Sequence, residues 1–128
     1  MARMLPNSAL EIRVAVVEDD PSVLDSLQFV LEAGGYRVWP FERPQQAIDS
    51  HEIMTADCLL IDYALPDIDG LAMLGRLRQR GLSCPAILIS GAPNARCRAD
   101  AKKAGVPLVE KPILGDTLSG LLRVIIGG

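Results

Sequence analysis

The sequence predicts an α/β domain of the doubly wound kind, a five-stranded parallel sheet in the order 2-1-3-4-5 with helices on both faces. Three observations carry this. Short apolar runs recur near 13–17, 36–41, 57–61, 86–90 and 108–110, with segments of helical period between them. Three of the runs, Val14-Ala15-Val16-Val17, Cys58-Leu59-Leu60-Ile61 and Ala86-Ile87-Leu88-Ile89, are continuously apolar, as central strands covered on both faces must be. Strand 2 instead contains Arg37 and Pro40, and strand 5 carries Glu110, which suits the two edges.

The elements follow in order. Residues 1–11 read as a loose N-terminal arm before one domain over 12–126. After strand 1, Asp20-Pro21 is a helix start, with Asp as cap and Pro at the first helical position. Val23, Leu24, Leu27, Val30 and Leu31 continue at helical spacing, and Gly34-Gly35 ends the helix. Ala47 and Ile48 mark a short second helix after Pro44. Leu71, Leu74 and Leu77 line a third, closed by Gly81. A polar fourth runs from about Ala95 to Ala104 and stops at Gly105. The fifth holds Leu118, Leu121, Leu122, Ile125 and Ile126.

Composition narrows the function. The chain has 128 residues, one domain's length, and 49% of them are apolar, enough for a real core. Thirteen basic residues stand against 16 acidic ones, so no basic excess argues for direct nucleic-acid binding. No apolar stretch approaches the roughly 18–20 residues that span a membrane. The start, Met1 to Glu11, lacks the long apolar segment of a signal peptide, so a soluble, cytoplasmic protein is expected. Cys58, Cys84 and Cys97 form no C-x-x-C pair and read as free thiols of a reducing compartment. His51, the only histidine, reads as a surface residue near a helix end and leaves little for a His-based metal site.

The chemistry gathers at the carboxyl ends of the strands, where open α/β sheets place their ligands. Asp62 closes the run Cys58 to Ile61, and Pro66 and Gly70 turn the chain outward beyond it. Glu18-Asp19-Asp20 follow strand 1, Ser90 ends strand 4, and Lys111-Pro112 follow strand 5. Carboxylates this close raise one another's pKa unless a cation intervenes. Mg²⁺ fits, since it favours one or two carboxylates, waters and a phosphate oxygen. Asp19 and Asp62 are the expected direct ligands, Glu18 acts through water, and Asp20 is read as a helix cap. Asp62 can also be a nucleophile that forms an acyl phosphate. Lys111 offers a compact positive charge and Ser90 a hydroxyl to the phosphoryl oxygens. Gly91 leaves room beside Ser90, and Pro112, with a cis bond as one option, fixes a turn that aims Lys111.

In these residues the chain resembles the receiver domain of two-component response regulators. The match runs from about Ile12 to Ile126 and includes Glu18-Asp19, Asp62 with Pro66 and Gly70, Ser90 and Lys111-Pro112, in order and at strand ends. The runs Asp57 to Asp62 and Val109 to Pro112 look closest to receivers of the nitrogen-fixation regulator type. The resemblance implies a flavodoxin-like fold. It implies Mg²⁺-dependent phosphoryl transfer to Asp62 from the phosphohistidine of a sensor histidine kinase or a phosphotransfer protein, and switched binding of a downstream effector. It also implies that the backbone carbonyl of Ala64 is a metal ligand. Such a domain catalyses only its own phosphorylation and dephosphorylation, and is not an enzyme in the turnover sense.

The chain departs from the family at several places. Leu108 stands three residues before Lys111, where the family carries Tyr or Phe, and Gly105-Val106-Pro107 is one residue short of the usual link. Both changes fall on the usual signal route through helix 4, strand 5 and helix 5. Ala64 and Ala92 are too small to orient an attacking water. The alternative is therefore a receiver-fold interaction module that binds its partner whether or not Asp62 is modified. A Mg²⁺-dependent nucleic-acid enzyme using Glu18 with Asp67 and Asp69 would leave Lys111 and Ser90 without roles, and an aspartyl phosphatase would want an Asp at position 64. The chain ends at Gly127-Gly128 without an output domain, as a single-domain regulator or a fragment would. The apolar sides of helix 5 or helix 1 would serve a homodimer, although each helix must bury one face in any case.

Overall fold

The computed structural model describes residues 11–113 and 115–126, so all of the expected arm except Glu11 lies outside the described residues. Within them the sheet has five strands in the order expected, β2-β1-β3-β4-β5. These are β1 (Arg13–Val17), β2 (Arg37–Phe41), β3 (Cys58–Asp62), β4 (Ala86–Ser90) and β5 (Leu108–Glu110). All four pairings are parallel. The helices are α1 (Pro21–Ala33), α2 (Pro44–Asp49), α3 (Gly70–Gln79), α4 (Ala95–Ala104) and α5 (Gly115–Ile126).

The apolar runs fall where continuous burial predicts. Every residue of β3 and β4 is buried, whereas β2 is exposed at Arg37 and Pro40 and β5 is only half-buried. Alternate residues of the central strands serve two cores, because successive side chains point to opposite faces. Ala15, Val17, Leu59, Ile61 and Leu88 pack with α2, α3 and α4. Val14, Val16, Cys58, Leu60, Ile87 and Ile89 pack with α1 and α5.

The helix boundaries have local causes. Asp20 accepts the Ser22 N–H at 2.9 Å, as its reading as a cap requires, and Pro21 opens α1. Asp69 caps α3 through the Ala72 N–H at 2.8 Å, and Asn94 caps α4 through the Cys97 N–H at 2.8 Å. Gly105, at φ 72°, ends α4 in the left-handed conformation. No helix among the described residues is long and apolar enough to cross a membrane.

Two strand starts shift by one residue, and one short turn is added. Strand 3 starts at Cys58 rather than 57, because Asp57 is a tie between strands: its carboxylate accepts the Arg13 N–H at 2.9 Å. Strand 2 starts at Arg37 rather than 36. A 3-10 turn at Glu52–Thr55 was not anticipated; Ser50 Oγ accepts the Ile53 N–H at 3.2 Å, and Ile53 is fully buried. His51 is exposed at the start of that turn, as a surface residue near a helix end should be.

Candidate functional site

The parallel register brings the four strand ends into one crevice. Val17 pairs with Ile61 and Asp62 with Ile89, so Glu18, Asp62 and Ser90 leave adjacent strands side by side. Lys111 is fixed beside them because its N–H donates to the Ser90 carbonyl at 2.8 Å. Glu18, Asp62 and Ser90 are the only polar side chains in the buried class among the described residues, at 0%, 4% and 5% exposure. Three polar groups buried together in an apolar sheet are costly unless they serve a ligand or one another.

Lys111 supplies part of the compensation. Its Nζ lies 2.6 Å from Glu18 Oε1 and 3.2 Å from Asp62 Oδ2. Burial pushes the Glu18 carboxyl above its usual range, against the lowering effect of Lys111 and the Asp20 N–H, while Asp62 adds to the rise. Burial alone would lower the Lys111 ammonium; the Glu18 and Asp62 carboxylates outweigh it and hold the pKa above the ordinary value. The sequence reading assigned Lys111 only to a phosphoryl group and the relief of crowding only to a divalent ion. The structure adds that the ammonium already bridges two of the carboxylates.

A cation site remains. Carboxylate oxygens of Glu18, Asp19 and Asp62 lie within 4.8 Å of one another. Glu18 Oε2 accepts the Asp20 N–H at 3.1 Å, and Oε1 is buried against Lys111 Nζ. Asp62 Oδ1 accepts the Ala64 N–H at 3.2 Å, while Oδ2 faces Lys111. Asp19 is exposed at the mouth. An all-oxygen set of three carboxylates, with a single ammonium from Lys111 shared between two of them, fits a hard divalent ion of the Mg²⁺ type.

The remaining expected residues divide. Ser90 Oγ accepts the Ala92 N–H at 3.3 Å, facing the loop into α4. The Lys111-Pro112 bond is cis. A Cβ added to Gly91 would meet nothing nearer than Lys111 Cδ at 4.0 Å, so the space beside Ser90 is open. Leu108 lies outside the crevice, half-buried in the cluster beneath α3 and α4. Asp67 and Asp69 stay out of the carboxylate cluster, and Asp69 is occupied as the α3 cap, so the alternative pairing of Glu18 with them is not assembled.

Two residues escaped the sequence reading in these roles. Gly70 entered it only as a turn signal, yet a Cβ there would sit 2.5 Å from the Asp62 carbonyl oxygen and 3.0 Å from Tyr63 Cα. Glycine lets α3 seat directly on the backbone of Asp62. Tyr63 follows Asp62 and reaches α4, where its hydroxyl donates to Asp100 Oδ2 at 3.4 Å. An aromatic next to the key carboxylate was the available signal for it.

Fold and crevice together define a doubly wound α/β domain with a carboxylate, hydroxyl and ammonium cluster at its topological switch point. The comparisons with known proteins name the family. The family model described as the response regulator receiver domain matches residues 14–123, and the chain belongs to that family. The transcriptional regulatory protein FixJ of Bradyrhizobium diazoefficiens is 28% identical over 111 residues, covering 86% of this chain and 54% of that protein. The transcriptional regulatory protein TdiR of Thauera aromatica is 32% identical over 100 residues, covering 77% of this chain and 44% of TdiR. The crystal structure of full-length FixJ from B. japonicum superposes with a TM-score of 0.80 at 27% identity, covering 90% of this chain and 57% of that one. The chain thus spans about half the length of the curated relatives it matches. It is a two-component signal-transduction receiver domain.

Proposed function

We propose that this domain accepts a phosphoryl group on Asp62 in a Mg²⁺-dependent reaction and thereby switches the binding of a partner. The observation that supports it best is the bridged carboxylate cluster: three carboxylates within 4.8 Å, with Lys111 Nζ at 3.2 Å from Asp62.

An Asp62 oxygen attacks the phosphorus of a phosphohistidine on a sensor kinase or phosphotransfer protein. A P–O bond forms, the P–N bond breaks, and the imidazole leaves with the electron pair, taking a proton from solvent. Lys111 shifts from its carboxylates toward the phosphoryl oxygens, and Ser90 gives up the Ala92 N–H to donate its own proton to one of them. Gly91 leaves that approach open. When bound, the divalent ion supplies positive charge that lets carboxylates and phosphoryl oxygens share one crevice. Asp19, Asp62 and the Ala64 carbonyl would hold it directly and Glu18 through water. Turnover of an external substrate is not part of this reading. Neither Ala64 nor Ala92 carries a side chain that could direct a hydrolytic water. The working unit is residues 12–126 behind the arm at 1–11, located in the cytoplasm with its kinase and its effector.

The test is incubation with acetyl phosphate and Mg²⁺, read by intact mass. A hydroxylamine-labile gain of one phosphoryl group, lost entirely in Asp62→Asn, is expected. Labelling that persists in Asp62→Asn would move the acceptor elsewhere, and Mg²⁺ binding without labelling would leave a phosphorylation-independent interaction module.

A further inference from the structure

Residue 108, a leucine, carries no hydroxyl to engage the helices on its face. The same half-buried layer does contain one polar tie. Tyr63 packs against the cluster that holds Leu88 and Ala101 in its core and Leu108 at its margin. Its hydroxyl reaches Asp100 on α4 at 3.4 Å, and Asp100 also lies 3.9 Å from Arg96 of the same helix. A phenol is protonated at neutral pH, so Tyr63 is the donor of this pair.

The two ends of this tie are held differently. Tyr63 is pinned: its N–H donates to the Ile89 carbonyl and its carbonyl accepts the Gly70 N–H, each at 2.8 Å. Asp100 rides on a helix that buries only Cys97 and Ala101. The start of that helix hangs from Ser90 through residues 91–94, with the Ala92 N–H on Ser90 Oγ and the Asn94 cap on the Cys97 N–H. Ser90 Oγ is thereby connected, through residues 91–94, to the helix that carries Asp100. At 3.4 Å the contact is already longer than the usual O–H···O bond, a weak tie that a shift of a few tenths of an ångström releases.

We propose that Tyr63 and Asp100 form a latch that holds α4 in its unphosphorylated placement, and that modification of Asp62 reports to α4 by releasing it. This rests on the reading of Asp62 as phosphoacceptor. Tyr63 is then a positioning residue. Linkage fixes the sign: whatever bias the latch gives to the unphosphorylated form is withheld from binding of a phosphoryl mimic. Removing the latch must tighten that binding.

The experiment is a double-mutant cycle on the full chain, with beryllofluoride and Mg²⁺ as the probe and calorimetric affinity as the readout. Tyr63→Phe keeps the ring and its packing, and Asp100→Ala removes the acceptor. Each is expected to tighten beryllofluoride binding by roughly 2- to 5-fold. The double variant should bind no tighter than either single one, because both remove the same bond. In the absence of the mimic, the α4 amides of Tyr63→Phe should exchange hydrogen faster than those of the wild type, with β3 unchanged. Unchanged affinities, or effects that multiply in the double variant, overturn the latch while leaving Asp62 as acceptor. A wild type that neither binds beryllofluoride nor forms an acyl phosphate overturns the reading of Asp62, and the latch's link to it falls as well.

Discussion

The carboxyl edge of β1, β3 and β4 and the face formed by α4 and β5 belong to one sheet but are held by different means. At the edge, Glu18, Asp62 and Ser90 are almost fully buried at the ends of strands that contribute to the cores on both faces. On the face, β5 has three residues in a half-buried to exposed pattern, and α4 is polar apart from Cys97 and Ala101. The buried polar groups are thus fixed by rigid elements, whereas the adjoining surface has little burial to hold it in one place. Regions of few buried apolar contacts are the ones that open or shift most readily. In a signalling domain this separates a site that must keep its geometry from a surface free to change.

The sharpest test of this contrast uses a register pair. Leu88 on β4 lies opposite Leu108 on β5. Leu88 is fully buried, and Leu88→Ala should cost about 2–5 kcal/mol in denaturant unfolding. Leu108 is half-buried, and Leu108→Ala should cost about 1 kcal/mol. Equal costs would mean that β5 is as firmly held as β4.

Next comes a pair within α3. Gly70→Ala drives a methyl into the Asp62 carbonyl and should destabilise by about 1–3 kcal/mol while weakening phosphorylation. Gly75→Ala meets no atom within 4 Å and should stabilise by about 0.5–1 kcal/mol through helix propensity. Thermal melts of the two variants should move in opposite directions.

A divalent ion held by Glu18, Asp19 and Asp62 should act on the edge alone. At ten times its dissociation constant it should add about 1.4 kcal/mol of stability, because it binds only the folded form. The gain should shrink in Asp19→Ala and persist in Leu108→Ala. A melting temperature indifferent to millimolar Mg²⁺ would count against the carboxylate cluster as a cation site.

The smallest effect is read from thiols. Burial pushes the Cys58 thiol up to about 12 and also raises Cys97. Both are buried, but Cys58 sits in β3 and Cys97 in α4. Alkylation at pH 8 should reach Cys97 before Cys58, through local opening of α4, while Cys58 waits for global unfolding. A thiol with a raised folded pKa contributes stability below its ordinary value of 9.0, and loses it as pH climbs toward the raised value. The melting temperature should therefore fall above pH 9, and Cys58→Val should flatten that fall.

Most of this architecture was legible from the sequence, for identifiable reasons. Continuous apolar runs marked β1, β3 and β4 because both of their faces are covered, and Arg37, Pro40 and Glu110 marked the edges. Asp20-Pro21 showed the start of α1 because a cap and a proline act within a single turn. Glu18, Asp19, Asp62 and Lys111 could be placed together because a parallel sheet delivers every strand end to the same side. What escaped depends on distances that no local pattern encodes. The bridge from Lys111 to Glu18 spans residues far apart in sequence, as does the hydroxyl of Tyr63 on Asp100. The closeness of Gly70 to Asp62 is a matter of where α3 lands, and glycine alone signals only that something is tight or turned. The turn at Glu52–Thr55 is too short for any period to reveal.

Both margins of the sheet also bear on how the chain behaves in a crowded solution. An open strand edge is a template on which a foreign strand can add. Here β2 presents Pro40, which has no N–H to offer, beside the exposed charge of Arg37. At the other margin β5 is only three residues long and ends in the exposed Glu110. Neither margin gives an incoming strand a continuous ladder of hydrogen bonds. The apolar interior of this sheet, which would be adhesive if extended, is thereby closed to growth from both sides.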